Sequence, residues 1–177
     1  MINALVTGVG GGVGQGIIKS IQMIDDLDIR IIAADMSEKA AGLYAGNVSR
    51  LVEACTAPNY LNTLAKIFEN DSIDYYFPGT DVELEFCAKN KEHIQDRYGV
   101  KTVISSLETV LIADDKFKTY MFLKDNDFFF PETKWLKYFV PSEALNFPVI
   151  VKPAVGCRSI GVYKVLNNFH IRYNILS

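Results

Sequence analysis

The sequence predicts an α/β protein: a parallel sheet with crossover helices, followed by a second, smaller element built around a hairpin. Three observations predict it. Short apolar runs alternate with segments of helical periodicity from Ile2 to Ser105. The first apolar run ends in a glycine-rich loop, "TGVGGGVG", Thr7 to Gly14, that opens a helix. A second loop with two glycines, "AVGCRSIG", Ala154 to Gly161, sits between two later apolar runs.

In chain order, "INALV" from Ile2 to Val6 is a first strand. Gly12 to Ile24 is a helix with Ile17, Ile18, Ile21 and Ile24 at helical spacing. "RIIAAD", Arg30 to Asp35, is a second buried strand, and "SEKAAGLYAG" is a short helix or turn. "SRLVEA" is a short third strand. Tyr60 to Asn70 is a helix that places Leu61, Leu64, Ala65 and Phe68 on one side. "IDYYFPG", Ile73 to Gly79, is a strand stopped by proline and glycine. Glu83 to Arg97 is a helix and Val100 to Ser105 a strand. The alternation implies βαβ units, with the first domain spanning residues 1–112.

From residue 113 the pattern changes. Ala113 to Asp127 reads as one helix with Asp114 or Asp115 near its start, and "FFFPETKWL" as a loop entering a strand. "PSEALN" is a turn or short helix. "FPVIVKP" and "VYKV" are strands joined by the second loop. So small a sheet cannot bury its faces alone, so the second domain, 113–177, reads as incomplete.

The bulk numbers exclude several classes. With 177 residues, 49% hydrophobic and 22% charged, the chain can bury a core. A net charge of −3 gives no long-range pull toward nucleic acid or anionic membrane. Cys55, Cys87 and Cys157 form no CxxC pair, and His93 and His170 lie far apart, so no metal site is expected. No basic leader precedes the first strand, and no apolar run reaches the roughly 20 residues of a membrane span. The expectation is a soluble cytoplasmic protein.

Two readings of the first loop stay open. It is either a tight strand-to-helix turn or an anion site at a helix N-terminus. In a dinucleotide fold Asp35, about twenty residues on, would take ribose hydroxyls. Thr7, Gly8, Gly11 and Gly14 match the TGxxGxxG of short-chain dehydrogenases, and Tyr120 and Lys124 make a YxxxK with Ser106 upstream. A NAD(P)-dependent oxidoreductase is therefore the alternative. YxxxK arises by chance in a chain with nine tyrosines.

The second half carries the more specific pattern. Asp115 and Lys116 open a helix that exits through Asn126, Pro131 and Thr133. Pro148, Ile150, Lys152 and Pro153 then lead into the loop with Gly156, Arg158, Ser159 and Gly161. This resembles the start of an ATP-grasp domain. "IDYYFPGTDVELEF" resembles a segment of the Rossmann-like domain that precedes ATP-grasp, most closely in carbamoyl-phosphate synthase large subunits. The resemblance covers nearly the whole chain.

It implies a Rossmann-like pre-ATP-grasp domain and then the first part of an ATP-grasp small subdomain. The implied chemistry is ATP-dependent activation of a small carboxylate as an acyl phosphate, which an amine attacks. Lys116, Lys152, Gly156, Arg158, Ser159 and Gly161 would bind ATP phosphates. Gly8, Gly11, Gly12, Gly14, Asp81 and Glu83 would line the acceptor's side. Magnesium is implied as well, but the resemblance places its ligands beyond Ser177, and no residue of this chain is assigned to catalysis. A homodimer or a polypeptide carrying the missing half is the expected partner, and a non-catalytic subunit of a split ligase is a further alternative.

Overall fold

The computed structural model describes residues 1–136, 146–156 and 159–167. The chain divides into two compact units, Met1–Val110 and Leu111–Ser177.

The first unit is a five-stranded parallel sheet in the order β3-β2-β1-β4-β5. Its strands are β1 (Ile2–Val6), β2 (Ile29–Asp35), β3 (Val48–Leu51), β4 (Tyr75–Phe77) and β5 (Lys101–Thr102). The helices α1 (Gly12–Gln22), α2 (Tyr60–Asn70) and α3 (Asp81–Tyr98) connect them, with a 3₁₀ turn at Ala41–Ala45. The parallel α/β sheet is the one the alternation predicts. β5 is shorter than the predicted run, because only Lys101 and Thr102 pair with β4, through Tyr75 and Tyr76.

Both faces of the sheet are covered, as a parallel sheet requires. Successive residues of β1 point to opposite faces. Leu5 joins Ile32, Tyr76, Leu64, Phe68 and Ile94 in a core that includes α2 and α3. Ala4 and Val6 join Ile31, Ala33, Ile18 and Ile21 in a second core under α1. Of the four isoleucines at helical spacing, Ile18 and Ile21 are buried under α1 and Ile17 partly so, whereas Ile24 lies past the end of the helix at Gln22 and is 39% exposed. At the other end of α3, Gly99 adopts φ +70° and donates to the Gln95 carbonyl at 2.9 Å, which stops the helix.

Asp71 is one of three carboxylates buried in this frame, with Asp35 and Glu83. Asp71, at the end of α2, is 3% exposed. Its Oδ1 accepts from Arg50 Nη2 at 2.8 Å and Arg30 Nη2 at 3.2 Å, and its Oδ2 accepts from Arg50 Nε at 2.9 Å. The carboxylate therefore ties α2 to β2 and β3.

From Leu107, where one helix runs from the first unit into the second, the predicted single helix Ala113–Asp127 is corrected. The chain forms α4 (Leu107–Asp114) and α5 (Lys116–Asp125), broken at Asp115. The Asp115 carboxylate accepts from the N–H groups of Phe117 at 2.8 Å and Lys118 at 3.1 Å, so it caps a new helix instead of continuing the old one. α4 had no counterpart in the sequence reading; Ser106 starts it, accepting from Thr109 N at 3.2 Å. No strand occurs in residues 128–136. The expected "PSEALN" turn lies outside the described residues apart from Asn146. The strands β6 (Val149–Val151) and β7 (Tyr163–Val165) pair antiparallel, Val149 opposite Val165, and make the expected hairpin.

Removing the Asp71 carboxylate leaves two arginines facing a vacated, largely buried position. Asp71→Ala is expected to cost about 3 kcal/mol. Glu85→Ala, which removes only the exposed Glu85–Lys89 pair, is expected to cost ~0.5 kcal/mol or less. Urea unfolding of both variants checks this; equal losses would contradict the assignment.

Candidate functional site

In an open parallel sheet, ligands bind beyond the carboxyl ends of the strands where the order reverses. Here that place is the end of β1 and β4. The chain leaves β1 at Thr7, turns at Gly8 with φ +61°, and enters α1 at Gly12. A Cβ at Gly8 would lie 2.2 Å from Thr80 Cγ2. At Gly14 it would lie 2.6 Å from the Gly8 carbonyl oxygen, and at Gly79 2.2 Å from the Thr7 carbonyl oxygen. Three glycines thus let β1, α1 and the exit of β4 meet backbone against backbone. Gly11 and Gly12 differ. A Cβ at Gly11 finds ordinary contact and one at Gly12 finds open space. The first loop is therefore a tight strand-to-helix turn, the first of the two readings left open by the sequence. Gly8 and Gly14 are demanded by the chain's own packing, while Gly11 and Gly12 leave room on the solvent side.

Asp35, at the end of β2, is not a free acceptor. Its Oδ2 takes the Gly10 N–H at 2.7 Å and its Oδ1 takes the Ser37 N–H at 3.0 Å. The carboxylate that a dinucleotide fold would direct at ribose holds the glycine loop instead. Its negative charge lies against a loop amide, where a pyrophosphate would otherwise approach. Tyr120 is 7% exposed, edge-on to Phe130 at 5.4 Å, with Lys124 Nζ 5.9 Å from its ring centroid. That phenol is a packing group, and Ser106 is a helix cap.

Beneath the loop lies a buried polar cluster that the sequence reading did not assemble. Glu83, in the first turn of α3, accepts from Thr7 Oγ1 at 2.8 Å and from Tyr60 OH at 2.6 Å. Tyr76 OH lies 3.3 Å from Tyr60 OH and accepts from Cys87 Sγ at 3.4 Å. Burial, reinforced by the Glu83 charge, drives the Tyr60 hydroxyl far above its ordinary range. Burial likewise raises Tyr76. Burial pushes the Cys87 thiol up to about 12, against a lowering hydrogen bond with Tyr76. Of the expected acceptor-side residues, Glu83 is thus tied into this cluster, whereas Asp81 is exposed at the first position of α3. The available signal was two tyrosines at buried positions on α2 and β4, each needing a partner for its hydroxyl.

The second loop belongs to the other unit. Lys116 Nζ donates to the Gly156 carbonyl at 2.9 Å and the Ala154 carbonyl at 3.3 Å, and Lys116 N donates to Ala154 O at 2.9 Å. The first residue of α5 is thus fastened to the loop that leaves β6. Lys152, just past β6, is exposed. Gly156 and Gly161 adopt φ +147° and +71°, and Ser159 φ +57°. The structure brings Lys116 onto the backbone of Gly156. Arg158, with Cys157, lies outside the described residues. Among the described residues no three His, Cys, Asp or Glu side chains gather in a way that could hold a metal ion.

Two outcomes are expected. Gly14→Ala should destabilise by about 1–3 kcal/mol through overpacking, whereas Gly16→Ala, into open space on α1, should stabilise by about 1 kcal/mol. Shifts of the same sign in denaturant midpoint would contradict the interlocked loop. The second outcome concerns alkali. A thiol whose folded pKa is raised from 9.0 to about 12 contributes stability in full below pH 9 and loses it toward pH 12. Its slope is ~1.4 kcal/mol per pH unit. Cys87→Ala should lower that slope between pH 9 and 10 in urea titrations; an unchanged slope would contradict it.

The model of the family described as PylC-like, N-terminal domain, matches residues 9–104, more than half of the chain. No curated relative matches. Among solved structures, an L-amino acid ligase from Bacillus licheniformis aligns over 99% of this chain and 42% of its own, at 15% identity and TM-score 0.68. N5-carboxyaminoimidazole synthetase from Staphylococcus aureus aligns over 97% of this chain and 42% of its own, at 15% identity and TM-score 0.65. A biotin carboxylase from Campylobacter jejuni, crystallised as a β,γ-ATP complex, aligns over 96% and 40%, at 19% identity and TM-score 0.60. The chain thus spans about two-fifths of the length of these proteins, and at such identities the likeness is one of fold. That fold is the α/β arrangement at the amino-terminal end of ATP-grasp enzymes, as the sequence predicts. By the match over residues 9–104, the chain belongs to the PylC-like N-terminal domain family.

Proposed function

We propose that this chain is the amino-terminal part of an ATP-grasp carboxylate–amine ligase, with residues 113–177 contributing to the ATP site. The finer likeness within that class is to carbamoyl-phosphate synthase large subunits. The observation that carries the reading is the contact of Lys116 Nζ with the Gly156 carbonyl. It supports a site in which a helix-borne cation and a glycine loop meet just past the strand that ends at Val151.

In this reading Lys152 and Lys116 neutralise phosphate charge, and backbone N–H groups around Gly156, Ser159 and Gly161, with Arg158, cradle the β- and γ-phosphates. ATP supplies the phosphoryl group that activates a small carboxylate. Gly11, Gly12 and Asp81, at the carboxyl edge of the other unit, face the acceptor. Among the described residues no three His, Cys, Asp or Glu side chains gather to hold a metal ion, and no step is assigned to a metal held by this chain.

Lys152 contributes more to nucleotide binding than Lys116. Lys152 is solvated and ready for an anion, whereas Lys116 must give up two carbonyl contacts to reach one. A charge-assisted phosphate contact is worth about 1.5–3 kcal/mol, so Lys152→Ala should weaken ATP binding by about tenfold or more. Calorimetric titration of ATP and of NADH checks the reading. Tight NADH binding with no ATP heat would overturn it, and equal losses for Lys152→Ala and Lys116→Ala would overturn the ordering.

A further inference from the structure

The outer edge of the first sheet holds a feature that neither glycine loop uses. β5 is the last strand in the order β3-β2-β1-β4-β5, so one of its sides faces no strand among the described residues. Beside it, within the first unit, lies a cleft of about 530 Å³ between β5 and the second half of α3. Lys91, Glu92, Gln95 and Asp96 line it from α3, and Lys101 to Ile104 line it from the β5 side. Lys91 Nζ donates to the Ile104 carbonyl at 3.4 Å and so reaches from one wall to the other. Clefts of roughly 300–1,000 Å³ are the size of small-molecule sites.

Thr102 is the residue that the fold leaves unsatisfied there. It is 3% exposed, and its Oγ1 is the one buried side-chain polar atom without a partner among the described residues. An enclosed hydroxyl in that state costs free energy comparable to a lost hydrogen bond. Strand side chains adopt more than one common χ1 rotamer, so rotation about a single bond turns this hydroxyl toward the cleft that Thr102 lines. The main chain adds a donor. Lys101 N and Val103 N donate toward β4, to the carbonyls of Asp74 at 2.9 Å and Tyr76 at 2.8 Å. The Thr102 amide between them faces the open edge.

The rim sets the charge of what fits. Lys91 and Lys101 bring two positive charges and Glu92 and Asp96 two negative ones, and none of the four makes an ion pair with another among the described residues. A polyanion would meet the two carboxylates and a polyamine the two ammonium groups. A molecule with one charge of each sign meets neither conflict. Val103, 44% exposed, and half-buried Ile104 offer apolar surface for the rest of it.

We propose that this cleft binds a small zwitterion with an apolar side chain, of the α-amino acid class, its carboxylate on the Thr102 hydroxyl and amide and its ammonium group toward Glu92 and Asp96. The cleft uses none of the residues assigned to nucleotide or acceptor, and it stands whether or not those assignments do.

The test follows amide shifts of the ¹⁵N-labelled chain during titration with L-leucine. Parallel titrations use 4-methylpentanoate and L-leucinamide, which keep the side chain but carry only one of the two charges. L-Leucine is expected to give saturable shifts at Lys101–Ile104 and along Lys91–Asp96. Each analogue should bind at least about tenfold more weakly, and so should L-leucine to Thr102→Val, which keeps the shape and removes the hydroxyl. Thr102→Ser keeps the hydroxyl and should stay within about threefold of the parent. Urea unfolding without ligand reads the hydroxyl itself: Thr102→Val should be at least as stable as the parent, because a methyl group replaces an unpaired donor. Absence of saturable shifts at these residues, equal affinity for all three compounds, unchanged affinity in Thr102→Val, or a Thr102→Val less stable than the parent would each overturn the proposal.

Discussion

The backbone contact of Thr7, Gly8, Gly14 and Gly79 is the constraint from which the rest of the first unit follows. β1 and β4 are neighbours in the sheet, and both end at the same point. For α1 to start directly above that point, no side chain can stand between the strand ends and the helix. Glycine at 8, 14 and 79 removes the obstacle, and the start of α1 comes to rest on the chain of Gly8 and Val9. Asp35 then closes the arrangement from the side by taking the Gly10 and Ser37 amides. The loop so formed is fixed by its own protein before any ligand is considered.

That constraint also accounts for the buried polar cluster below. Thr7 is the last residue before the turn, and its hydroxyl is fully enclosed. An enclosed hydroxyl without a partner costs free energy comparable to a lost hydrogen bond, so Glu83 reaches in from the first turn of α3 to accept it. The Glu83 carboxylate is itself enclosed and requires donors, which Tyr60 supplies from α2 and Thr7 from the turn. Three elements are thereby joined through one carboxylate. The position of Glu83 at a helix N-terminus adds the favourable field of the helix dipole. Such a cluster specifies one arrangement of α2, α3 and β4.

Much of the fold is legible in the sequence where periodicity is strong. β1 and α2 fall on the residues their patterns mark, because Ile2 to Val6 is apolar apart from Asn3 and Leu64 and Phe68 recur one turn apart. The break at Asp115 is not legible from periodicity, since Ala113 to Asp127 holds no proline or glycine to mark it; a carboxylate capping two amides decides it. α4 escapes for the same reason that β5 is overrun: short elements leave too few periods to read. At the candidate site, the glycines are visible as letters, but the sequence cannot separate those required by packing, Gly8 and Gly14, from those that are not, Gly11 and Gly12. For Gly8 that distinction depends on Thr80, about seventy residues away, and for Gly14 on the way the turn lays α1 against Gly8 and Val9. Asp35 misleads for a related reason, because its partners are loop amides whose approach only the folded chain defines.

The account assigns different tasks to two glycine loops, and one measurement addresses that division directly. Amide chemical shifts of the ¹⁵N-labelled chain are followed while ATP is added. The account predicts progressive shifts at Lys116, Lys152 and the loop around Gly156 and Gly161, with the amides of Gly8, Gly10 and Gly14 unmoved. Shifts confined to Gly8–Gly14, with residues 152–161 silent, would place the nucleotide on the first loop and contradict the division.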